Sequence, residues 1–208
     1  MKKIIYSVLS LTLGLVLSGS GCNQDAMDPS LDPTFDKGVK IGSVTWATRN
    51  VDTPGTFAPT PESPGMFYQW NRNTGWSATD PLISSPSGAS WDATTPSGDT
   101  WVDDPCPDGW RVPTFAEFEG LIRYKNKWNN AKKGYEFRSV TNTIFMPAVG
   151  CRQITNGALD YPTEGYYWAK DENSILSSQA FAFYISSGLL GIAPQSKNFG
   201  SSLRCVKK

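Results

Sequence analysis

The stretch PCPDGWRVPTFAEFEGL, residues 105–121, constrains this chain more than any other. Pro105, Pro107 and Gly109 shape a corner around Cys106, and Val112-Pro113 enforces an extended approach to the next segment. Thr114 to Glu117 then matches a capping box, in which the Thr114 oxygen accepts from the Glu117 amide and the Glu117 carboxylate reaches back to Thr114. Phe115, Phe118, Leu121 and Ile122 recur at helical spacing and define an inward face. The basic residues from Arg123 to Lys127 suit the C-terminal end of such a helix. Trp110 packs into the body, and Arg111 is expected to form a salt bridge or a backbone contact.

Around this helix the chain alternates between short apolar runs and turns. VKIGSVTWATRNV (39–51), MFYQW (66–70), IFMPAVGCR (144–152), TEGYYWAKD (163–171), QAFAFYISS (179–187) and SSLRCVKK (201–208) are strand candidates. Pro147 closes the third of these, Gly150 turns it, and the last places Cys205 in the final strand. DTPGTFAPTPESPG (52–65) is too rich in Pro and Gly to be anything but loop. Residues 71–105 are dominated by Ser, Thr, Asp, Gly and Pro, and a loop of this length inside a domain is functional or disordered. Disordered tracts are poor in Trp, so Trp76, Trp91 and Trp101 read as pinning this loop to the body. One helix among many short strands, with 19 Gly and 15 Pro in the chain, predicts an α+β fold with a large irregular fraction.

The N-terminus predicts export. Lys2 and Lys3 precede the mostly apolar run Ile4 to Leu17, which is short for a bilayer span, and SGSG then leads to Cys22. This resembles a bacterial lipoprotein signal in which Cys22 is lipidated and becomes the first residue, although Gly19 stands where Leu is usual. The alternative is a secreted chain cut nearby. Residues 1–21 are thus read as signal peptide, 22–37 as a polar tether and 38–208 as one domain. The membrane is expected to be touched through the lipid anchor alone.

Charge and composition exclude several function classes. The chain carries 19 basic and 19 acidic residues, so loss of Lys2 and Lys3 leaves it near −2 and nucleic acid is not an expected partner. It contains no histidine, which removes Ser-His-Asp and Cys-His catalysis and the common His-containing metal sites. Beyond Cys22 there are Cys106, Cys151 and Cys205, and an oxidising compartment would pair two of them in one of three ways. A Cys106–Cys205 bond would close a loop of about 100 residues, worth roughly 4–5 kcal/mol in the chain-entropy picture.

The succession WATRNV, GMFYQW, DPCPDGWRVPTFAEF, MPAVGCR, GYYWA and SSLRCVK resembles the Fibrobacter succinogenes major paralogous domain, a family common in surface lipoproteins of Bacteroidota. The resemblance covers residues 38–208, and its most specific motifs are CPxGWRVPT and the terminal RCVK. It implies a body similar to the C-type-lectin-like fold of formylglycine-generating enzymes and a Cys106–Cys205 disulfide. Cys151 departs from the family pattern and is expected to be an unpaired buried thiol. The family carries no general activity that transfers to this chain.

Neither a metal nor a cofactor is expected, and an enzyme is the least favoured reading. The related enzymes bind copper through paired cysteines, a motif not visible here, and Arg152 points away from Cys151 if the two neighbours lie on one strand. Asp103-Asp104 and Asp171-Glu172 pair only along the chain and read as solvated turns, and KDENS (170–174) lacks the signatures of calcium-dependent lectins. Trp46, Trp70, Trp110 and Trp168 lie in strand or corner segments and are expected in the core. The favoured function is a binding or adhesion module at the outer-membrane surface. It would recognise a glycan, or a surface protein, through Trp76, Trp91 and Trp101 on the long loop, joined by Asp160 and Tyr161. The alternative is a structural or assembly component of a surface structure such as fimbriae, which gains if the loop Trp side chains are buried.

Overall fold

The computed structural model describes residues 32–208. The expected signal peptide, the expected lipidation site Cys22 and most of the expected tether lie outside the described residues. No helix among the described residues is long and apolar enough to cross a membrane.

The described residues form fifteen strands and one helix. In order these are β1 (Val39–Ile41), β2 (Val44–Trp46), β3 (Phe67–Tyr68), β4 (Gly75–Trp76), β5 (Ser84–Ser85), β6 (Trp110–Arg111) and α1 (Phe115–Ile122). There follow β7 (Lys125–Asn129), β8 (Gly134–Arg138), β9 (Thr143–Pro147), β10 (Cys151–Arg152), β11 (Leu159–Asp160), β12 (Gly165–Glu172), β13 (Gln179–Ser186), β14 (Leu189–Ser196) and β15 (Val206–Lys207). They build five small antiparallel sheets, ordered β1-β2-β15-β6, β3-β4-β5, β7-β8-β9, β10-β11 and β12-β13-β14.

The expected α+β fold with one main helix and a large irregular fraction is therefore corrected to a mostly β-sheet one. Strand accounts for 37% of the structure and helix for 5%. The excess strand comes from segments whose inward faces are thin. In β7 and β8, Lys125 and Lys127 point outward opposite Arg138 and Glu136, while Asn126 and Trp128 alternate with them. The helix stops at Ile122 with Arg123 as its C-cap, so these basic side chains belong to a strand rather than to a helix end. Cys205 likewise lies just before the final strand rather than within it.

The 105–121 stretch is a structural corner. The capping box is complete: Glu117 N donates to Thr114 Oγ1 at 3.2 Å and Thr114 N donates to Glu117 Oε2 at 2.7 Å. Arg111 grips the same carboxylate as a fork, through Nη1 at 2.8 Å and Nη2 at 2.6 Å, and also donates to the Val112 carbonyl. Asp104 accepts from the amides of Cys106 and Val112, and Asp171 accepts from the first helical amide, Phe115, at 2.6 Å. Cys106 is disulfide-bonded to Cys205, which brings the last strand in between β2 and β6, with Val206 opposite both Trp46 and Arg111.

Two clusters fill the interior. One packs Phe118 and Leu121 of the helix against Trp46, Phe137, Tyr167 and Phe183, with Phe118 stacked on Phe183 at 5.0 Å between ring centroids. The other gathers Trp70, Trp110, Val112, Trp168, Leu203 and Cys205. The eight-residue strands of β12-β13-β14 lie between them. Tyr167, Phe183 and Ile185 face the first cluster, while Trp168, Ala180 and Ala182 face the second. Trp46, Trp70, Trp110 and Trp168 are all buried.

Candidate functional site

The long loop is anchored rather than open. Trp76 is 2% exposed and its ring lies 5.1 Å from that of Trp91. Trp91 is half-buried, donates from Nε1 to the Ile154 carbonyl at 2.7 Å and covers Gly157, where a Cβ would stand 2.7 Å from the indole. Trp101 belongs to a different place, edge-on to Trp70 at 5.6 Å. Polar clasps complete the anchoring. Buried Arg152 donates to the carbonyls of Ser77, Thr79 and Gly157, and Gln69 and Asn198 donate to the carbonyls of Asp92 and Ala93. Lys197 Nζ, 1% exposed, lies 4.3 Å from the Trp70 ring centre and donates to the Gly98 carbonyl and to Glu172. The three loop indoles thus separate into two packed pairs and form no common face.

Tyr161, the other aromatic candidate, lies elsewhere and does line a cleft. This cleft has a volume of about 330 Å3 and opens on the face of β12-β13-β14 turned away from the helix. Alternation along the strands explains it. Tyr166 and Tyr184 are direct cross-strand partners, so both project from this face while Tyr167 and Phe183 enter the core. On the same face Ala182 stands opposite Ala193, and Gly191 stands opposite Tyr184. Ala182 and Ala193 line the cleft between the tyrosines, and the Tyr184 ring packs over Gly191. A Cβ at Gly191 would come 3.0 Å from the Tyr184 hydroxyl. Phe199 and Cys151 close the sides.

Tyr161 forms the rim. It is 45% exposed, adopts φ 50°, and its ring centre lies 5.9 Å from that of Tyr166. A non-glycine residue in the left-handed region is uncommon and is held by its neighbours. Asp160 supplies part of that hold: Oδ1 accepts from the Tyr161 amide at 2.9 Å and Oδ2 accepts from Gln153 at 2.7 Å. Asp160 is thereby a positioning residue behind the cleft rather than a wall of it.

The cleft's polar ends are few and oriented. Gln179 Oε1 accepts from Asn173, leaving its Nε2 as a donor without a partner among the described residues. Gln195 Nε2 donates to Ser201 Oγ at 3.0 Å, leaving its Oε1 as an acceptor. The Tyr166 hydroxyl donates to Glu164, and burial together with that carboxylate raises its pKa. No Lys or Arg among the described residues lines the cleft.

Cys151 is the one unpaired cysteine among the described residues and is buried. Burial first, then the charges of Asp160 and Glu164, push its thiol up to about 12. At neutral pH the sulfur therefore stays protonated, the form that is a poor nucleophile. No three of Cys, Asp and Glu come together as a metal-binding group among the described residues.

Sequence reasoning missed Tyr166, Tyr184, Gln179 and Gln195. The signal was present in the period-two reading of GYYWA and QAFAFYI, where one tyrosine of each run falls on the face opposite the core residues. Comparisons with protein-family models, with curated proteins and with solved structures found no match.

Proposed function

We propose that this protein is a non-catalytic binding module of the cell surface, lipid-anchored at Cys22 in the outer membrane, and that it takes a neutral saccharide in the tyrosine-lined cleft. The observation that carries the reading is the cleft itself: Tyr161, Tyr166 and Tyr184 with Ala182 and Ala193 between them, and an amide donor and an amide acceptor from Gln179 and Gln195 in its lining. Flat aromatic faces stack on the C–H faces of sugar rings, and a small set of oriented polar groups selects among hydroxyls. The cleft's size lies within the range of small-molecule sites. The Cys106–Cys205 disulfide supports an oxidising, exported setting and the resemblance to surface lipoproteins of the Fibrobacter succinogenes major paralogous domain family.

The test is glycan-array binding by the purified protein and by a Tyr161→Ala/Tyr184→Ala variant of confirmed fold. Array signals present in the parent and at least about tenfold weaker in the variant support the cleft. Equal binding by both, or none by either, overturns it.

A second reading, an assembly component of a surface structure such as fimbriae, is favoured by a different observation. Of the loop tryptophans Trp76 is buried and Trp91 and Trp101 are half-buried, and β14 is an edge strand with Leu189 exposed. An edge strand can accept a strand from a neighbouring chain. Cross-linking in intact envelopes separates the two readings, because assembly predicts a stoichiometric protein adduct through β14 and saccharide binding predicts none.

A further inference from the structure

We infer that a second surface, between the β1–β2 turn and the β8–β9 loop, binds the carboxylate or sulfate of an acidic saccharide. The observation behind it is a set of three cationic side chains, only one of them ion-paired, lining a hollow of about 590 Å3. Lys125 and Arg138 stand directly opposite each other across β7 and β8, and Lys40 joins them from β1. Like charges directly opposite on a sheet repel. Arg138 is ion-paired to Glu136 of its own strand, which accepts from it at 2.5 Å and from Asn129 at 2.9 Å. Lys40 and Lys125 have no ion-pair partner among the described residues, and no Asp or Glu among them lines the hollow.

The hollow is built rather than incidental. Gly42 turns the β1–β2 hairpin at φ +66°, and a Cβ there would stand 2.1 Å from the Tyr124 hydroxyl. The tyrosine ring is thus seated against the turn as a fixed wall. The facing loop is tied down as well: Asn142 Nδ2 donates to the Lys40 carbonyl at 3.0 Å, and Ser139 N donates to the Asn142 carbonyl at 2.9 Å. Thr141 is exposed on that loop and adds a hydroxyl-bearing side chain to the lining. An aromatic wall, a hydroxyl and ammonium groups within one hollow match a sugar ring bearing an anionic group. An extended polyanion or a membrane would call for a long basic stripe, whereas the chain's formal net charge is +0. This site shares no lining residue with the tyrosine cleft and does not rest on it.

The experiment is calorimetric titration of the purified protein with oligogalacturonate, with its fully methyl-esterified counterpart and with a sulfated oligosaccharide. The free-acid or the sulfated form is expected to bind, with affinity falling as salt rises, and the ester is not. Lys40→Gln/Lys125→Gln should weaken that binding about tenfold, whereas Lys207→Gln/Lys208→Gln, which removes two charges elsewhere, should not. Equal binding of acid and ester, or an unchanged affinity in the Lys40/Lys125 variant, overturns the inference. So does binding confined to vesicles containing anionic phospholipid.

Discussion

At the scale of single residues, the most informative side chain is Cys151. It lines the tyrosine cleft, yet its thiol is held near 12 by burial and by two neighbouring carboxylates, far above an ordinary cysteine. A thiol reagent at mildly alkaline pH should leave the folded protein unmodified and label Cys151 at once in denaturant; rapid labelling of the native state would contradict this. The same shift sets a sign for stability. Between the ordinary cysteine value of about 8.5 and the folded value, the unfolded chain has released a proton that the folded chain keeps. Stability contributed by this group is therefore intact below about pH 8.5 and declines as pH rises from there. Denaturant titrations of the parent and of Cys151→Ser should diverge in that window, the serine variant showing a shallower alkaline decline because only the tyrosines raised by burial, such as Tyr166 and Tyr167, still contribute to it.

At the scale of elements, helix α1 shows how local sequence and tertiary contact share the work. Glu117 is partly buried, which alone would raise its pKa, but the Arg111 fork and the two Thr114 contacts outweigh burial and hold it below the usual carboxylate range. Its stabilising contribution is therefore present above the unfolded value of about 4.3 and is lost as pH falls through the lower folded value. Arg111→Met should remove part of that acid dependence, and Thr114→Ala should cost about 1 kcal/mol in chemical denaturation at neutral pH. An acid-unfolding midpoint unchanged by Arg111→Met would show that the fork does not stabilise the helix. This helix was legible in sequence because cap, approach and inward face are all local. The strands at 39–46, 67–68, 143–147, 165–172 and 179–186 were legible from their apolar residues. Among the missed strands, β7 turns only Asn126 and Trp128 inward, β8 sets its buried Tyr135 and Phe137 around Glu136, and β14 sets Leu190 and Ile192 around Gly191 of the cleft face, so no run of apolar residues marks them. Of the candidate site, only Tyr161 was found, since its loop is polar and aromatic. Tyr166 and Tyr184 were hidden inside strands whose other face is core.

At the scale of the whole molecule, closure depends on the last residues of the chain. Val206 inserts between β2 and β6, and the Cys106–Cys205 bond fixes that insertion across a sequence separation of 99. Replacing both cysteines with serine should cost about 4–5 kcal/mol by the loop-entropy relation, read from denaturant midpoints. A cost near zero would mean that packing of the C-terminal strand alone closes the fold. The β12-β13-β14 sheet presents one face to the helix, and its other face is shared between the second core cluster at Trp168 and Ala180 and the cleft at Tyr166 and Tyr184. The most direct test of that cleft as the binding site is an NMR titration of isotope-labelled protein with the neutral oligosaccharide that binds best on the array. Binding in the cleft predicts amide shifts centred on Tyr166, Tyr184, Gly191, Ala193 and Gln195. Shifts confined to the loop around Trp91 and Trp101, with the cleft amides unmoved, would contradict it.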